Sequence, residues 1–282
     1  MPSSPSQWVD KAALCAVATL GAQHSAHSQN GEDIMLLPTL LAATAGRKGT
    51  FVEIGALDGI TYANTRALDR CYDWHGLLVE GNPYNFAKLA KTPRPNSKKV
   101  HAAVCAGTRD GKDSTIQFSK FGGPVAGDVR FLPEWNSILA QKQLNQSTVA
   151  VPCRPLTRIM SDAGFPSADF LSLDVEGAEA HVLRHTAPEA FKVVLVEWRE
   201  DKAAHENAEV HHLLLKAGLR RAERLRIRGS RIYLADGVRE VYVNDTWLQH
   251  GVGFRHNQIQ VIPQYKEELL CMLSRANHSS CA

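Results

Sequence analysis

The stretch Thr50-Phe-Val-Glu-Ile-Gly-Ala-Leu-Asp-Gly59 predicts the centre of the fold. Its first half, Thr50 to Ile54, is short, apolar and β-branched, as a buried parallel strand is. Gly55 to Gly59 then supplies flexible backbone ahead of a helix that we predict from Tyr62 to Cys71. A strand, a glycine turn and a helix in succession are typical of nucleotide-binding proteins, because the first helical turn offers unpaired N–H groups to a ligand.

The turn carries acids where a dinucleotide-binding turn carries further glycines. Gly55-Ala-Leu-Asp-Gly59 has too few glycines for a pyrophosphate to lie against it, and Glu53 and Asp58 would repel a phosphate. About twenty residues on, a second apolar strand ends in Glu80, where a carboxylate can accept both hydroxyls of a ribose. A ribose with an amine nearby and no phosphate indicates S-adenosylmethionine. An acidic loop that only caps the next helix is the alternative interpretation.

Several blocks of sequence around this turn share an order with a known family. The blocks are Ser28-Gln-Asn-Gly-Glu-Asp33, Phe51-Val-Glu-Ile-Gly-Ala-Leu-Asp-Gly-Ile-Thr-Tyr-Ala-Asn-Thr65, Gly76-Leu-Leu-Val-Glu-Gly-Asn-Pro83, Ala102-Ala-Val-Cys105 and Asp169-Phe-Leu-Ser-Leu-Asp-Val-Glu-Gly-Ala-Glu179. Their order resembles that of the FkbM-type methyltransferases, and the last block is the most specific. The resemblance implies an S-adenosylmethionine-dependent O-methyltransferase with a Rossmann-like sheet, acting on hydroxyls of sugars, polyketides and related metabolites.

Length and composition fit one large α/β domain. A chain of 282 residues with 44% hydrophobic content can bury a full core. We therefore predict a single domain over residues 1–282. The resemblance implies that it is an FkbM-like methyltransferase domain, with a Rossmann-like seven-stranded sheet that is mostly parallel and has an antiparallel terminal hairpin. Residues 1–27 are expected to add N-terminal helices, residues 120–146 to form a lid over the acceptor, and residues 276–282 to be a frayed tail.

Apolar runs, caps and turn residues predict the remaining elements. Helices are expected at 83–90, 156–163, 205–217 and 264–275, and strands at 75–80, 98–104, 148–152, 169–174, 192–197, 220–227, 231–234 and 239–243. Asn82 is the expected N-cap of the first of these helices, because Pro83 fits the first helical position.

Charge and hydropathy predict neither a nucleic-acid partner nor a transmembrane helix. A net charge of +3 is too small to predict a nucleic-acid partner, since that inference needs a concentrated basic face. No run reaches the roughly eighteen apolar residues of a transmembrane helix. The expected partner is a small-molecule or glycan acceptor, and the sequence does not set the oligomeric state.

The six cysteines, at positions 15, 71, 105, 153, 271 and 281, show no paired short spacing and no histidine partner pattern. A zinc site is therefore not expected, and the cysteines are interpreted as unrelated thiols. Disulfides are the alternative if the protein is secreted. Ala12 to Ala22 is a short apolar stretch followed by a weak cleavage-like site, but Asp10 disfavours a signal peptide. We expect a cytoplasmic protein, with the secretory lumen as the alternative.

The expected donor-binding residues combine the acids of the turn with small and polar neighbours. Ala103 and its neighbour Ala102 would place small side chains against a flat adenine, and the resemblance implies that Gln29 and Glu32 line the site. The full set is Gln29, Glu32, Glu53, Gly55, Asp58, Gly59, Thr61, Asn64, Glu80, Ala103 and Asp174.

Later strands bring further carboxylates to the same edge of the sheet. Two predicted strands end in Asp174 and Glu197, and Glu176 opens the next helix. Clustered carboxylates repel one another, so either a proton is shared or a divalent cation, Mg²⁺ or Mn²⁺, lies between Asp174 and Glu197. We predict Asp174, Glu197 and Glu176 to be catalytic; the alternative is that these acids only charge a helix start.

Two features leave the reaction open. Arg224, Arg226 and Arg228 alternate along a predicted strand, which favours a solvated edge but would suit an anionic acceptor if they faced the crevice. The same donor site would serve an N-methyltransferase. A catalytically silent binding protein is the rival class, although Glu53, Glu80 and Asp174 are intact.

Overall fold

The computed structural model describes residues 28–108, 113–131, 148–199 and 204–241, together with two strands at Val252–Arg255 and Gln258–Val261. The N-terminal helices predicted over 1–27, the helix at 264–275, the tail and residues 132–146 of the expected lid lie outside these residues. Among the described residues, no helix is both long enough and apolar enough to cross a membrane.

A seven-stranded sheet forms the centre of the molecule. Its order is β3-β2-β1-β7-β8-β10-β9, with parallel pairing from β3 to β8 and antiparallel pairing of β10 with β8 and β9. The predicted mostly parallel sheet with an antiparallel terminal hairpin is confirmed. The strands are β1 (Thr50–Ile54), β2 (His75–Glu80), β3 (Ser97–His101), β7 (Ala168–Leu173), β8 (Phe191–Glu197), β9 (Arg220–Arg221) and β10 (Ser230–Leu234).

Helices cover both faces of this sheet. They are α1 (Glu32–Ala43), α2 (Arg66–Tyr72), α3 (Pro83–Leu89), α4 (Leu156–Asp162), α5 (Glu179–Arg184) and α6 (Ala204–Lys216). Successive residues of β1 point to opposite faces, so Phe51 packs in one core cluster with Leu36 of α1, while Val52 packs in a second with Ile159 of α4. The continuous apolar runs of the central strands follow from burial on both sides.

A second, three-stranded sheet lies beside the carboxyl end of β2. Its order is β4-β6-β5, formed by β4 (Ala103–Val104), β6 (Thr148–Arg154) and β5 (Ser114–Ser119). A disulfide joins Cys105, next to β4, to Cys153 in β6, and Cys71 is also disulfide-bonded. The interpretation of the cysteines as unrelated thiols is therefore wrong for these three.

Four predicted elements differ from the structure. The helix predicted from Tyr62 begins at Arg66, because Tyr62 itself has a left-handed φ of 57°. The strand predicted at 98–104 divides, and Ala103 leaves the main sheet to pair with Cys153. The strand predicted at 220–227 ends at 221, because the Glu240 carboxylate accepts the next backbone N–H groups, and residues 239–241 form no strand.

Candidate functional site

A cavity of about 380 Å³ lies at the carboxyl ends of β1, β2, β7 and β8. The chain order reverses between β1 and β7, and ligands of open α/β sheets bind at such a switch point. The cavity brings together most of the predicted residues. Its lining includes Gln29, Glu53, Gly55, Thr61, Asn64, Glu80, Ala103, Asp174, Glu176 and Glu197.

Gly55 allows β1 and β7 to meet closely at the floor of this cavity. Its φ is +84°, a conformation that side chains other than glycine rarely adopt. A Cβ at this position would lie 1.8 Å from the backbone oxygen of Asp174. The glycine is therefore required by the contact between two strand ends and by the turn that follows.

Glu80 is the last residue of β2 and is 4% exposed. Both of its carboxylate oxygens accept hydrogen bonds from backbone N–H groups. Oε2 accepts the N–H of Leu57 at 2.8 Å, and Oε1 accepts that of Asn82 at 2.7 Å. Burial raises the pKa of Glu80 to about 7. The carboxylate is thus fixed at the cavity wall, at the position that the sequence predicts to accept a ribose.

Glu53 lies in the cavity wall but is engaged by its own chain. Oε1 accepts the N–H of Asn64 at 2.8 Å, and Oε2 accepts the hydroxyl of Thr65 at 2.6 Å. Burial raises the pKa of Glu53, and the nearby Arg94 guanidinium opposes that rise. Arg94 also donates to the buried carboxylate of Asp69 at 2.7 Å. Glu53 therefore positions the loop that carries Asn64.

Asn64 presents an acceptor to the cavity. Its Nδ2 donates to the hydroxyl of Ser172 at 3.0 Å, whereas its buried Oδ1 has no hydrogen-bond partner within the described part of the chain. A buried acceptor without a donor is costly, so this oxygen fits a ligand N–H group.

Three predicted residues, Asp58, Gly59 and Glu32, do not line the cavity. Asp58 accepts the N–H of Thr61 at 2.7 Å and its hydroxyl at 2.8 Å, so it holds the turn. Gly59 packs against Leu89 and Arg94. Glu32 accepts the N–H of Asn30 and the hydroxyl of Ser230, and it lines a small adjoining pocket.

Asp174, Glu176 and Glu197 form an acid cluster on the opposite side of the cavity from Glu80. Each offers a carboxylate oxygen, and these oxygens lie within 4.8 Å of one another. Burial raises the pKa of both Asp174 and Glu197, and the charge of Asp174 raises that of Glu197 further. Both carboxyls therefore favour the protonated form, and the two interact closely enough to share a proton. Oε2 of Glu197 is buried and has no partner among the described residues.

The turn between β7 and α5 is held by an acid that the sequence analysis did not single out. Glu179 accepts the N–H groups of Val175 at 2.9 Å and Gly177 at 3.1 Å. Glu176, between them, has a φ of 57°. Burial raises the pKa of Glu179 to about 8. An acid at the first helical position is a signal for such a cap, and it was present in the sequence.

The wall nearest Ala103 also includes residues that were not predicted. Ile116 and Phe118 of β5 pack beside Ala103 and line it. The cavity lining also includes His181 of α5, whose pKa is lowered by burial and by Arg130. The buried Nε2 of His181 has no partner within the described ranges. The alternating pattern of β5 could have indicated an inward face, but nothing in the sequence places that strand beside β2.

Part of the expected lid is described, from residue 120 to residue 131. Residues 124–128 line the cavity. Asn82, which caps α3 as predicted, donates to the backbone oxygens of Ser119 and Phe121, and Asn85 exchanges two hydrogen bonds with Gly123. This segment is thus tied to α3, and movement of the expected lid stays a prediction.

The buried acids predict a loss of stability as pH rises. Glu179 has a pKa of about 8 against an ordinary 4.5, so above pH 6.5 the unfolded chain has already lost a proton that the folded chain keeps. Stability should fall by about 2 kcal/mol between pH 6.5 and 8.5, with a slope that begins near 1.4 kcal/mol per pH unit and levels off above the folded pKa. Thermal unfolding of the ligand-free protein measures this, and Glu179→Gln should flatten the dependence. An equal slope in parent and variant would contradict it.

A family model described as the methyltransferase FkbM domain matches residues 53–222, more than half of the chain. No curated protein matches. Similar solved structures include the precorrin-6y C5,15-methyltransferase of Geobacter metallireducens GS-15, at 9% identity and a TM-score of 0.38, over 70% of this chain and 86% of that one. A methyltransferase FkbM of Methylobacillus flagellatus KT has 14% identity and a TM-score of 0.37, over 66% and 43% of the two chains. A methyltransferase of calicheamicin biosynthesis, in its SAH-bound form, has 16% identity and a TM-score of 0.32, over 70% of this chain and 53% of that one.

The matched region runs from the end of β1 to β9, so it includes the strand ends that form the cavity. It carries the four acids Glu53, Glu80, Asp174 and Glu197. Family and cavity together support methyl transfer from S-adenosylmethionine. The chain belongs to the FkbM methyltransferase family.

Proposed function

We propose that the protein is an S-adenosylmethionine-dependent O-methyltransferase that acts on a hydroxyl of a sugar, a glycan or a related small metabolite. One observation carries this proposal: a single cavity has the backbone-anchored Glu80 on one side and the acid pair of Asp174 and Glu197 on the other. Glu80 suits a ribose, and the pair suits an acceptor that must lose a proton. An amine acceptor that binds in its neutral form would not need a carboxylate to remove a proton before it attacks the methyl group.

The donor half of the cavity offers one group for each part of S-adenosylmethionine. Glu80 would accept from the ribose hydroxyls, and Oδ1 of Asn64 would accept from the amino group. Ala103, Ile116 and Phe118 form the apolar wall that suits adenine. When bound, the donor supplies an electrophilic methyl group on a sulfonium. Its positive charge is compatible with a cavity lined by several carboxylates.

The acid pair would handle the acceptor's proton. Asp174 and Glu197 would share one proton between them, and the ionised carboxylate of the pair would take the proton of the hydroxyl. Alignment of the hydroxyl with the methyl group supplies the rest, because an alkyl hydroxyl is a poor nucleophile. The carboxylates of Asp174, Glu176 and Glu197 also fit Mg²⁺ or Mn²⁺, since their oxygens lie within 4.8 Å of one another. A cation there would lower the pKa of a chelated hydroxyl.

Removing the Glu80 carboxylate tests the donor site. We expect Glu80→Gln to weaken binding of S-adenosylmethionine and its demethylated product by about 2 kcal/mol, roughly thirtyfold, because charge-assisted bonds to two hydroxyls are lost. Titration calorimetry measures the affinity, and thermal unfolding verifies that the variant is folded. Glu189→Gln, at an exposed acid remote from the cavity lining, is the matched control. Equal affinity in Glu80→Gln and the control would remove the basis of the assignment.

The cross-links bear on the compartment. The disulfide of Cys105 with Cys153, and the further disulfide of Cys71, support the secretory lumen or another oxidising space over the cytoplasm, because reducing compartments keep thiols free. A glycan acceptor would be met in the same space.

A further inference from the structure

An arginine groove adjoins the acid cluster. We define it by Arg199, Arg221, Arg226, Arg228 and Arg231, which line it together with Trp198. Gln29, Glu197 and Arg199 line both this groove and the methyl-transfer cavity. The two spaces are therefore continuous at Glu197, and a ligand that occupies one can extend into the other.

Trp198 positions two of these guanidinium groups. It follows β8 directly, and its ring has the guanidinium carbon of Arg231 at 5.4 Å and that of Arg221 at 5.7 Å from the centroid. Arg231 also donates to the backbone oxygens of Ile227 and Ser230. Cation–π contact and hydrogen bonds hold these groups in place before any ligand arrives, which lowers the entropic cost of binding.

The segment between β9 and β10 turns two more arginines outward. Leu225 and Ile227 are each 3% exposed and pack in the core, so the residues that alternate with them, Arg226 and Arg228, are exposed. The Glu240 carboxylate accepts backbone N–H groups of residues 223 to 225 at 2.6–3.2 Å, so it is directed at the backbone of this segment.

Charge in the groove is strongly unbalanced. Five arginines line it against two acids, Glu197 and Glu223. Protection of a sheet edge by charged residues does not explain this density of arginines, because β9 ends at Arg221, and Arg226 and Arg228 lie outside any strand. Arginine presents planar, bidentate donors that match carboxylate and sulfate groups.

We propose that the arginine groove binds an oxyanion of the acceptor, so that the acceptor is an acidic glycan with a carboxylate or sulfate on a sugar next to the methylated one. This inference rests on the proposed methyl transfer and adds the substrate class. The anion lies on the arginines while a hydroxyl of the neighbouring residue reaches Asp174. A nucleic acid fits less well, since its phosphates would continue into the acid cluster and the net charge of the chain is only +3.

Binding to paired glycans tests the groove. The protein loaded with S-adenosylhomocysteine is titrated with glucuronate-containing tetrasaccharides, with their sulfated forms, and with carboxyl-reduced counterparts that carry glucose in place of glucuronate. At least one acidic member should bind about tenfold or more tightly than its neutral counterpart, as expected for charge-assisted bonds. The double variant Arg226→Ala, Arg228→Ala should lose that preference. Arg239→Ala, which removes an exposed arginine that does not line the groove, should keep it.

The outcomes separate this inference from the reaction itself. If donor affinity is normal but acidic and neutral glycans bind equally, the groove does not bind an oxyanion of the acceptor, and the proposed methyl transfer is unaffected. Methyl transfer to neutral glycans alone would lead to the same conclusion. An RNA or DNA oligonucleotide that binds more tightly than every glycan, and loses affinity in the double variant, would also overturn it. Absence of donor binding in the parent protein would instead count against the proposed methyl transfer. The donor affinity of the double variant should equal that of the parent.

Discussion

Asp174→Asn and Glu197→Gln are each expected to lower kcat by about a hundredfold to ten-thousandfold, with little change in the affinity for S-adenosylmethionine. The reason is the division of the cavity: Glu80 and Asn64 suit the donor, whereas the pair of Asp174 and Glu197 holds a proton and a charge for the acceptor. Turnover at saturating donor and calorimetry of the donor measure the two quantities separately.

A chelator distinguishes the two ways in which the pair can act. A proton-sharing pair is indifferent to it, whereas a metal site loses activity that Mg²⁺ or Mn²⁺ restores. Glu176→Gln adds a third comparison, because a cation held by three carboxylates should bind more weakly without one of them. Full turnover in both Asp174→Asn and Glu197→Gln would show that these acids only shape the strand ends and that the proton leaves by another route.

Gly55→Ala is expected to destabilise the protein by about 3 kcal/mol or more and to abolish detectable donor binding, since backbone strain and overpacking each cost about 1–3 kcal/mol. The new Cβ would lie 1.8 Å from the backbone oxygen of Asp174, so β7 must move or the turn must open. Either movement displaces an acid of the site. Thermal unfolding and calorimetry with S-adenosylhomocysteine measure the two effects.

Gly218→Ala is the matched control for that prediction. Gly218 has a φ of +80°, close to that of Gly55, but a Cβ there would meet no atom of the described residues within 4 Å. Its variant therefore measures the cost of the left-handed conformation alone, and it should bind the donor normally. If Gly55→Ala were no more destabilising than Gly218→Ala, the close contact between β1 and β7 would not control the site.

The central sheet was predictable because its strands have a strong local signal. Continuous apolar runs of five to seven residues, each ending in an acid or a glycine, give β1, β2, β7 and β8 nearly to the residue. Asn82 followed by Pro83 placed the start of α3 for a similarly local reason. Acids at the ends of neighbouring parallel strands then had to share one edge, which is why Asp174 and Glu197 were expected to meet.

Contacts between distant parts of the chain were not predictable in the same way. Glu53 was expected to hold a ligand, but its two oxygens are engaged by Asn64 and Thr65, and only the folded loop shows this. Cys105 and Cys153 are 48 residues apart, and no spacing rule pairs them. The end of β9 depends on Glu240, a carboxylate far along the sequence that competes for backbone N–H groups.

The disulfide of Cys105 with Cys153 makes the intervening chain a closed covalent ring. A ring of about 48 residues removes conformational entropy from the unfolded chain, and the loop-closure estimate for this length is about 4 kcal/mol at 25 °C. The ring begins at Cys105, close to Ala103 in the cavity wall that suits adenine. It closes at Cys153 in β6, the strand that pairs with Ala103 and Val104. Opening of this wall therefore cannot proceed by separation of its two ends, and any motion that admits the donor must occur within the ring or on the opposite side of the cavity.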